Sequence, residues 1–361
     1  MPRSDWRLAV PYLLNAWYVA ALSSEVTADA PLTRTLLDEP VVLYRVAGGQ
    51  AVALADRCPH RFAPLSRGRV VDGALECPYH GLRFGAEGRC VFNPHGDGRV
   101  PARAEARHYP VRERYGAIWF WPGDPQRASN TPLPAFDYLD PQENFTSERY
   151  LHTHANYQLS ADNLLDLSHF QYLHPETLGS EQMASGAVRA TVAGNTVSVR
   201  REMKGEYLRP MLTQSFNLLY GERADRELDV QWIPPGLLTI VVRICESGLP
   251  ETTREAVSAH WLTPETAASS HYFFAFGLPR AIGEHGAELV SRTAQSLLAP
   301  FRDEDIPMLE AQQCVIGERD FWSLRPAMLP IDAGAVHARR IMERLIADEA
   351  PQGVSTAGEV L

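Results

Sequence analysis

Short apolar runs separated by turn residues fill the first third of the chain. Val41 to Val46 and Ala51 to Ala55 flank Gly48-Gly49, and Leu82 to Phe84 and Cys90 to Phe92 flank Glu87-Gly88. Val111 to Arg114 and Ala117 to Trp121 flank Tyr115-Gly116. Each pair predicts a hairpin, because glycine-containing turns let the backbone reverse between strands. Pro122-Gly123-Asp124-Pro125 and a proline-dotted stretch to Pro141 break this pattern and read as a linker. Beyond it the period changes. Tyr157 to Phe170 reads as a helix, and Val188 to Val192 with Thr196 to Arg200 as a hairpin around Gly194-Asn195. Strands are predicted at Leu228 to Trp232, Leu237 to Ile244, Ala256 to Leu262 and Ser270 to Phe276. Helices are predicted at about Glu288 to Val315 and at Ala335 to Asp348, before a frayed tail containing Pro351, Gly353 and Gly358. The expectation is an α+β protein: a small all-β domain over residues 1–140, linker included, then a larger α+β domain over 141–361 with an antiparallel sheet and long C-terminal helices.

Composition narrows the class. A chain of 361 residues suggests two domains at roughly 100–200 residues each. With 45% hydrophobic and 22% charged residues it is globular rather than disordered or fibrous. A net charge of −10 argues against nucleic acid and anionic membranes as partners. No apolar run reaches the roughly 18 residues of a membrane span; the best internal one, Gly236 to Ile244, is broken by Arg243. Arg3 and Arg7 precede a semi-apolar stretch from Leu8 to Leu22, but Pro11, Asn15, Trp17 and Tyr18 make it the lead-in to a domain rather than a targeting segment. Five cysteines form no disulfide framework, which points to the reducing cytoplasm. Cys90, Cys245 and Cys314 read as small buried hydrophobes.

Chemistry enters with Cys58-Pro59-His60 and, after sixteen residues, Cys77-Pro78-Tyr79-His80. Each pair lies where a strand gives way to a turn, so two loop tips can converge on one centre. Two thiolates and two imidazoles suit zinc or a [2Fe–2S] cluster with two His on one iron. Zinc sites usually pair Cys with Cys and His with His, whereas here each loop offers one of each. That favours the cluster. The motif resembles the Rieske iron–sulfur motif, which implies that Cys58 and Cys77 hold one iron, and His60 and His80 the other.

A second constellation runs Asn163-x-x-Asp166-x-x-His169-x-x-x-x-His174. His169 and His174 lie about 140° apart on a regular helix, so they converge only if the helix ends or bulges between them. Two His and one carboxylate with open positions make the facial triad of non-haem Fe(II). Asp303, Glu304 and Asp305 are the candidate carboxylates. Around Asp305, Leu298, Phe301, Met308 and Leu309 form an apolar face, so Asp305 points inward, and a carboxylate on a core face wants a cation. Pro300 and Pro307 can bend this helix.

With Asn15 to Ala20, Tyr115 to Trp119, Thr263 to Thr266, His271 to Phe273, Glu304-Asp305, Leu309 to Gln313 and Arg325 to Leu329, the whole chain resembles the oxygenase components of Rieske non-haem iron aromatic-ring oxygenases of the vanillate O-demethylase and dicamba monooxygenase type. The resemblance implies a β-rich Rieske domain and a helix-grip, START-like catalytic domain. It implies a [2Fe–2S] cluster and a mononuclear Fe(II) on His169, His174 and Asp305. Asp166 would bridge a cluster histidine and an iron-ligating histidine in a head-to-tail homotrimer. Asn163 would be a polar neighbour of the iron, and His260 a substrate contact. Two further positions of the dicamba type, an Asn and a Trp, stand here as Ile233 and Ser296, so dicamba is not the expected substrate. No flavin or dinucleotide fingerprint is visible, so NAD(P)H electrons would come through a separate ferredoxin-type or flavin reductase. The expected reaction consumes O₂ and a small aromatic substrate, a methoxylated aromatic acid such as vanillate, whose hydroxylated methyl leaves as formaldehyde. Hydroxylation of a ring methyl and N-demethylation compete with that reading. A Rieske electron carrier and a zinc-stabilised binding protein are rivals from other classes.

Overall fold

The computed structural model describes residues 12–349. The start of the lead-in at Leu8 and the expected frayed tail lie outside the described residues. Among the described residues eighteen strands form four antiparallel sheets. β1 (Tyr18–Leu22), β11 (Ala117–Phe120) and β10 (Val111–Arg114) make the first. β2 (Leu32–Leu36), β3 (Glu39–Arg45), β4 (Ala51–Ala55) and β9 (His108–Tyr109) make the second. β5 (Arg69–Val71), β6 (Ala74–Glu76), β7 (Arg83–Phe84) and β8 (Cys90–Phe92) make the third, which carries one of the two Cys/His loops.

The fourth sheet has seven strands in the order β12 (Asn144–Thr153), β18 (Ser269–Pro279), β17 (Arg254–Thr266), β16 (Leu237–Glu246), β15 (Arg223–Ile233), β14 (Thr196–Tyr207) and β13 (Ala187–Ala193). The short helices α1 (Pro125–Asn130), α3 (Phe170–Leu173) and α4 (Pro210–Ser215) lie in connections. Four longer ones, α2 (Tyr157–Leu165), α5 (Gly286–Ala299), α6 (Ile306–Ile316) and α7 (Ala333–Glu349), pack on the large sheet. No helix among the described residues is long and apolar enough to cross a membrane.

β17 is buried continuously from Ser258 to Pro264, with no polar–apolar alternation, because both of its faces are covered. One face meets the helices. The other receives the N-terminal domain through a tryptophan cluster. Trp119 of β11 meets Trp261 of β17 edge-on at 5.2 Å, and Phe136 packs against both. Backbone bonds extend the joint: the Leu37 and Asp38 amides donate to the Pro264 and Glu265 carbonyls (2.9 Å each), and Thr263 Oγ1 donates to the Val19 carbonyl (2.7 Å).

Three expectations need correction. The proline-rich stretch is no loose linker. Asp124 caps α1 by accepting from the Gln126 amide (2.9 Å), and Phe136 and Leu139 are buried in the tryptophan cluster. The single helix expected from Glu288 to Val315 is two, joined by a π-helical turn at Pro300–Asp305 in which the Ile306 amide reaches back to Phe301. Pro307 has no amide hydrogen and its ring crowds the preceding turn, so the ladder widens there. Cys90 is buried as expected, but Cys245 is only partly buried and Cys314 is exposed.

Trp261→Ala would remove the ring that both domains share. We expect a loss of about 3–5 kcal/mol in denaturant unfolding, with the two domains no longer melting together.

Candidate active site

The two Cys/His loops repeat one backbone scheme. Cys58 N–H donates to the Ala63 carbonyl and Phe62 N–H returns to the Cys58 carbonyl; Cys77 N–H donates to Leu82 and Gly81 N–H returns to Cys77. The residue four after each cysteine is left-handed, Phe62 at φ 59° and Gly81 at φ 70°. Both thiols are buried, while the His60 and His80 rings lie 4.7 Å apart toward the surface. Burial pushes the Cys58 thiol up to about 11, against the pull of the His60 and Arg61 amides that point at its sulfur. A cationic metal centre relieves that cost, since it binds thiolate and lowers the thiol pKa. Buried sulfur and outward imidazole, two of each, form the donor set that a [2Fe–2S] cluster with histidine on one iron requires.

The second constellation closes through a break in the chain. α2 stops at Leu165 because Asp166 turns extended (φ −127°, ψ 95°) and caps the next turn, accepting from the Ser168 amide (3.1 Å) and hydroxyl (2.8 Å). His169 closes that turn and His174 ends α3, so the interruption brings together two histidines that a continuous helix would hold apart. The π-helical turn aims Asp305 at them. His169, His174 and Asp305 each offer one ligand atom, all within 4.8 Å of one another. His174 Nε2 lies 3.1 Å and His169 Nε2 3.4 Å from Asp305 Oδ1, and Asn163 Nδ2 donates to the same oxygen (3.0 Å).

The far sides of both imidazoles are engaged. His169 Nδ1 donates to the Asp166 main-chain carbonyl (2.7 Å), and His174 Nδ1 bonds Glu304, which also accepts from Thr177 Oγ1 (2.9 Å). Each Nε2 therefore faces Asp305. Burial would raise the Asp305 carboxyl, but hydrogen bonds and charge from the two histidines hold it at about 2. Burial would lower His174, and Asp305 and Glu304 outweigh it in the upward direction. A cation at the meeting point would satisfy all three groups.

Asp166 departs from expectation in how it acts. Its carboxylate binds Arg201 (3.0 Å) and Ser168, and it is the main-chain oxygen that holds His169. The site forms the wall between two hollows that meet at Asn163. One, of about 300 Å³, reaches Asp166, His169, Gln312, Trp322 and Arg339. The other, of about 90 Å³, is apolar and reaches Asp305, His260, Leu164, Phe276 and Phe301. His260 does line that cavity, but both of its nitrogens are occupied, Nε2 by Ser258 Oγ and Nδ1 by the Tyr272 hydroxyl (2.8 Å each). Burial lowers its pKa to about 3, so it is neutral. Ser296 lines the cavity, whereas Ile233 packs on the tryptophan cluster and Trp232 is core.

Residues 16–108 match the family model of the Rieske [2Fe-2S] domain. Residues 153–348, more than half of the chain, match that of the vanillate O-demethylase oxygenase C-terminal domain. The chain belongs to the Rieske oxygenases of this type. The oxygenase is 39% identical to the oxygenase component of chloroacetanilide N-alkylformylase from Rhizorhabdus wittichii, over 94% of this chain and 97% of the relative. It is 39% identical to the oxygenase component of dicamba O-demethylase from Stenotrophomonas maltophilia, over 92% and 98%. The crystal structure of dicamba monooxygenase bound to 3,6-dichlorosalicylic acid superposes with a TM-score of 0.86 at 37% identity, covering 94% of this chain and 99% of the other.

Sequence reasoning passed over Glu304 as a mere rival to Asp305, and missed Arg201, Arg226, Ser258 and Tyr272. A signal existed for the arginines. In β15, Ala224, Arg226, Leu228, Val230 and Trp232 share one buried face, so Arg226 sits in apolar phase.

Two substitutions test the site by metal analysis. Asp305→Asn should lower iron from about three to about two per chain with the cluster spectrum intact. Glu304→Gln should keep the fold but weaken the third iron by roughly 10–100-fold, because it frees the His174 ring.

Proposed function

We propose that the chain is the terminal oxygenase of a two- or three-component monooxygenase that O-demethylates aromatic ethers. The observation that carries this is the convergence of His169, His174 and Asp305 beside an apolar cavity, in a chain that also carries the two Cys/His loops. In this reading Cys58, Cys77, His60 and His80 hold the cluster, and the residues on each side of 140/141 form its two domains. When bound, the cluster and the mononuclear iron supply stored electrons and O₂ activation. The chain's own groups do the rest. Glu304 and the Asp166 carbonyl fix the two imidazoles, Asn163 steadies the Asp305 carboxylate, and Leu164, Phe276 and Phe301 exclude water from the substrate ring. The balanced reaction takes ArOCH₃, O₂, two electrons and two protons to ArOCH₂OH and water; the hemiacetal then breaks to ArOH and formaldehyde.

N-dealkylation is the second reading, favoured by the N-alkylformylase relative and by the same apolar cavity. The electrons come from a separate reductase. A head-to-tail homotrimer belongs to the same proposal, since the hollow beside Asp166 and His169 and the exposed His60 edge are both reachable by another copy.

With a reductase, NADH and a methoxylated aromatic, formaldehyde should appear in one-to-one ratio with the phenol, and Asp305→Asn should abolish it while the cluster still reduces. A cluster that reduces with no product, and only about two irons after Fe(II) loading, would favour an electron carrier. Light scattering should give about three times the 40.2 kDa chain mass.

A further inference from the structure

The apolar cavity has polar side chains, but almost all of them are already spent. Arg226 is its one cation among the described residues. It is 2% exposed and bound through Nε and Nη2 to both oxygens of Glu206 (2.9 and 2.8 Å), and through Nη1 to the Leu178 carbonyl (2.9 Å). Glu206 is fully buried and also accepts from Ser180. The pair therefore closes that wall with zero net charge. Ser215, Thr293 and Ser296 turn their hydroxyls back to main-chain oxygens of their own helices. At the other end stand Asp305 and, behind His174, Glu304, acidic side chains that offer an entering carboxylate no cation.

Ser258 is different. The Tyr272 hydroxyl is fully buried and has His260 Nδ1 as its partner, so it donates there. His260 is neutral and must then carry its proton on Nε2, which donates to Ser258 Oγ. That leaves the Ser258 hydrogen facing the Ile240 carbonyl at 3.5 Å, the outer limit of a hydrogen bond. A ligand acceptor in the cavity would compete for it easily.

We propose that the cavity takes an uncharged one-ring aromatic ether with an acceptor directed at the Ser258 hydroxyl, and turns away aromatic carboxylates. The reason is electrostatic. A carboxylate entering this cavity loses its water and finds no free cation, a cost that neutral esters and ethers do not face. The inference rests on the oxygenase reading above and sets its substrate class. Its polar anchor is the Tyr272–His260–Ser258 chain, with Ser258 rather than His260 touching the ligand.

The test is calorimetric titration of anaerobic, iron-loaded holoenzyme at pH 7 with vanillate and with methyl vanillate, which differ only by the charge-masking ester. Methyl vanillate should bind on the order of 100-fold more tightly. Vanillate binding as well or better, or neither binding, overturns the proposal. Ser258→Ala should weaken methyl vanillate about tenfold in a folded but less stable protein, since it also strips the acceptor from His260 Nε2, and Ser258→Thr should restore most of the affinity; unchanged affinity in Ser258→Ala removes the anchor. Glu206→Gln, which leaves the Arg226 charge uncompensated, should strengthen vanillate at least about tenfold. If that variant does not fold, the wild-type pair of titrations still decides. Formaldehyde assays separate the two failures: good turnover of vanillate sinks the substrate class and keeps the oxygenase, whereas tight methyl vanillate binding without formaldehyde does the reverse.

Discussion

A carboxylate held out of water must be met by positive charge or by several donors, and Asp305 imposes that demand on everything around it. The residue is 5% exposed. Two imidazoles and an amide converge on its Oδ1, and each imidazole is braced from behind by an oxygen, from Glu304 and from the Asp166 main chain. Both helical interruptions, at Asp166 and at Pro300–Asp305, exist in the geometry of this meeting point. A regular helix in either place would separate the partners and leave buried charge unpaired, at a cost of several kcal/mol.

The same economy of charge extends through the catalytic domain. Arg201 is answered by Asp166, Arg226 by Glu206, and Arg339 by Asp162. Each pair lies beside a hollow rather than in the middle of packed hydrocarbon. Their arrangement leaves one cavity apolar, with its arginine neutralised, and the other, lined by both apolar and charged side chains, open beside His169. The wall built by His169, His174 and Asp305 thus separates two hollows of different character. The tryptophan joint at Trp119 and Trp261 fixes the N-terminal domain on the opposite face of the sheet, so that covering the sheet does not obstruct the cavities.

The hairpins of the N-terminal domain were legible because glycine turns and strand-length apolar runs are local signals; β4, β8 and β10 carry the boundaries expected of them. The large-sheet strands were found but drawn too short: β14 runs on from Arg200 to Tyr207 through alternating polar positions that cross-strand pairing holds in place. β12 was invisible, because an edge strand with one packed face needs no hydrophobic pattern. Asp305 was legible from its apolar helix face, although the π-helical turn that delivers it was only hinted at by two prolines. His260 was legible as a cavity residue, but not that Ser258 and Tyr272 consume its nitrogens.

The sequence by itself determined the donor sets: two Cys/His pairs at loop tips, and two histidines and a carboxylate of the right types. Ligand identity is written in side-chain type and short-range spacing, which survive without knowing the fold. Tertiary structure decided which atoms act. Whether Asp166 works through its carboxylate or its carbonyl, and whether Arg226 is a free cation or a neutralised one, depends on partners 35 and 20 residues away in sequence. Side-chain charge is a property of the residue, but the field in a cavity is a sum over whatever long-range packing brings alongside.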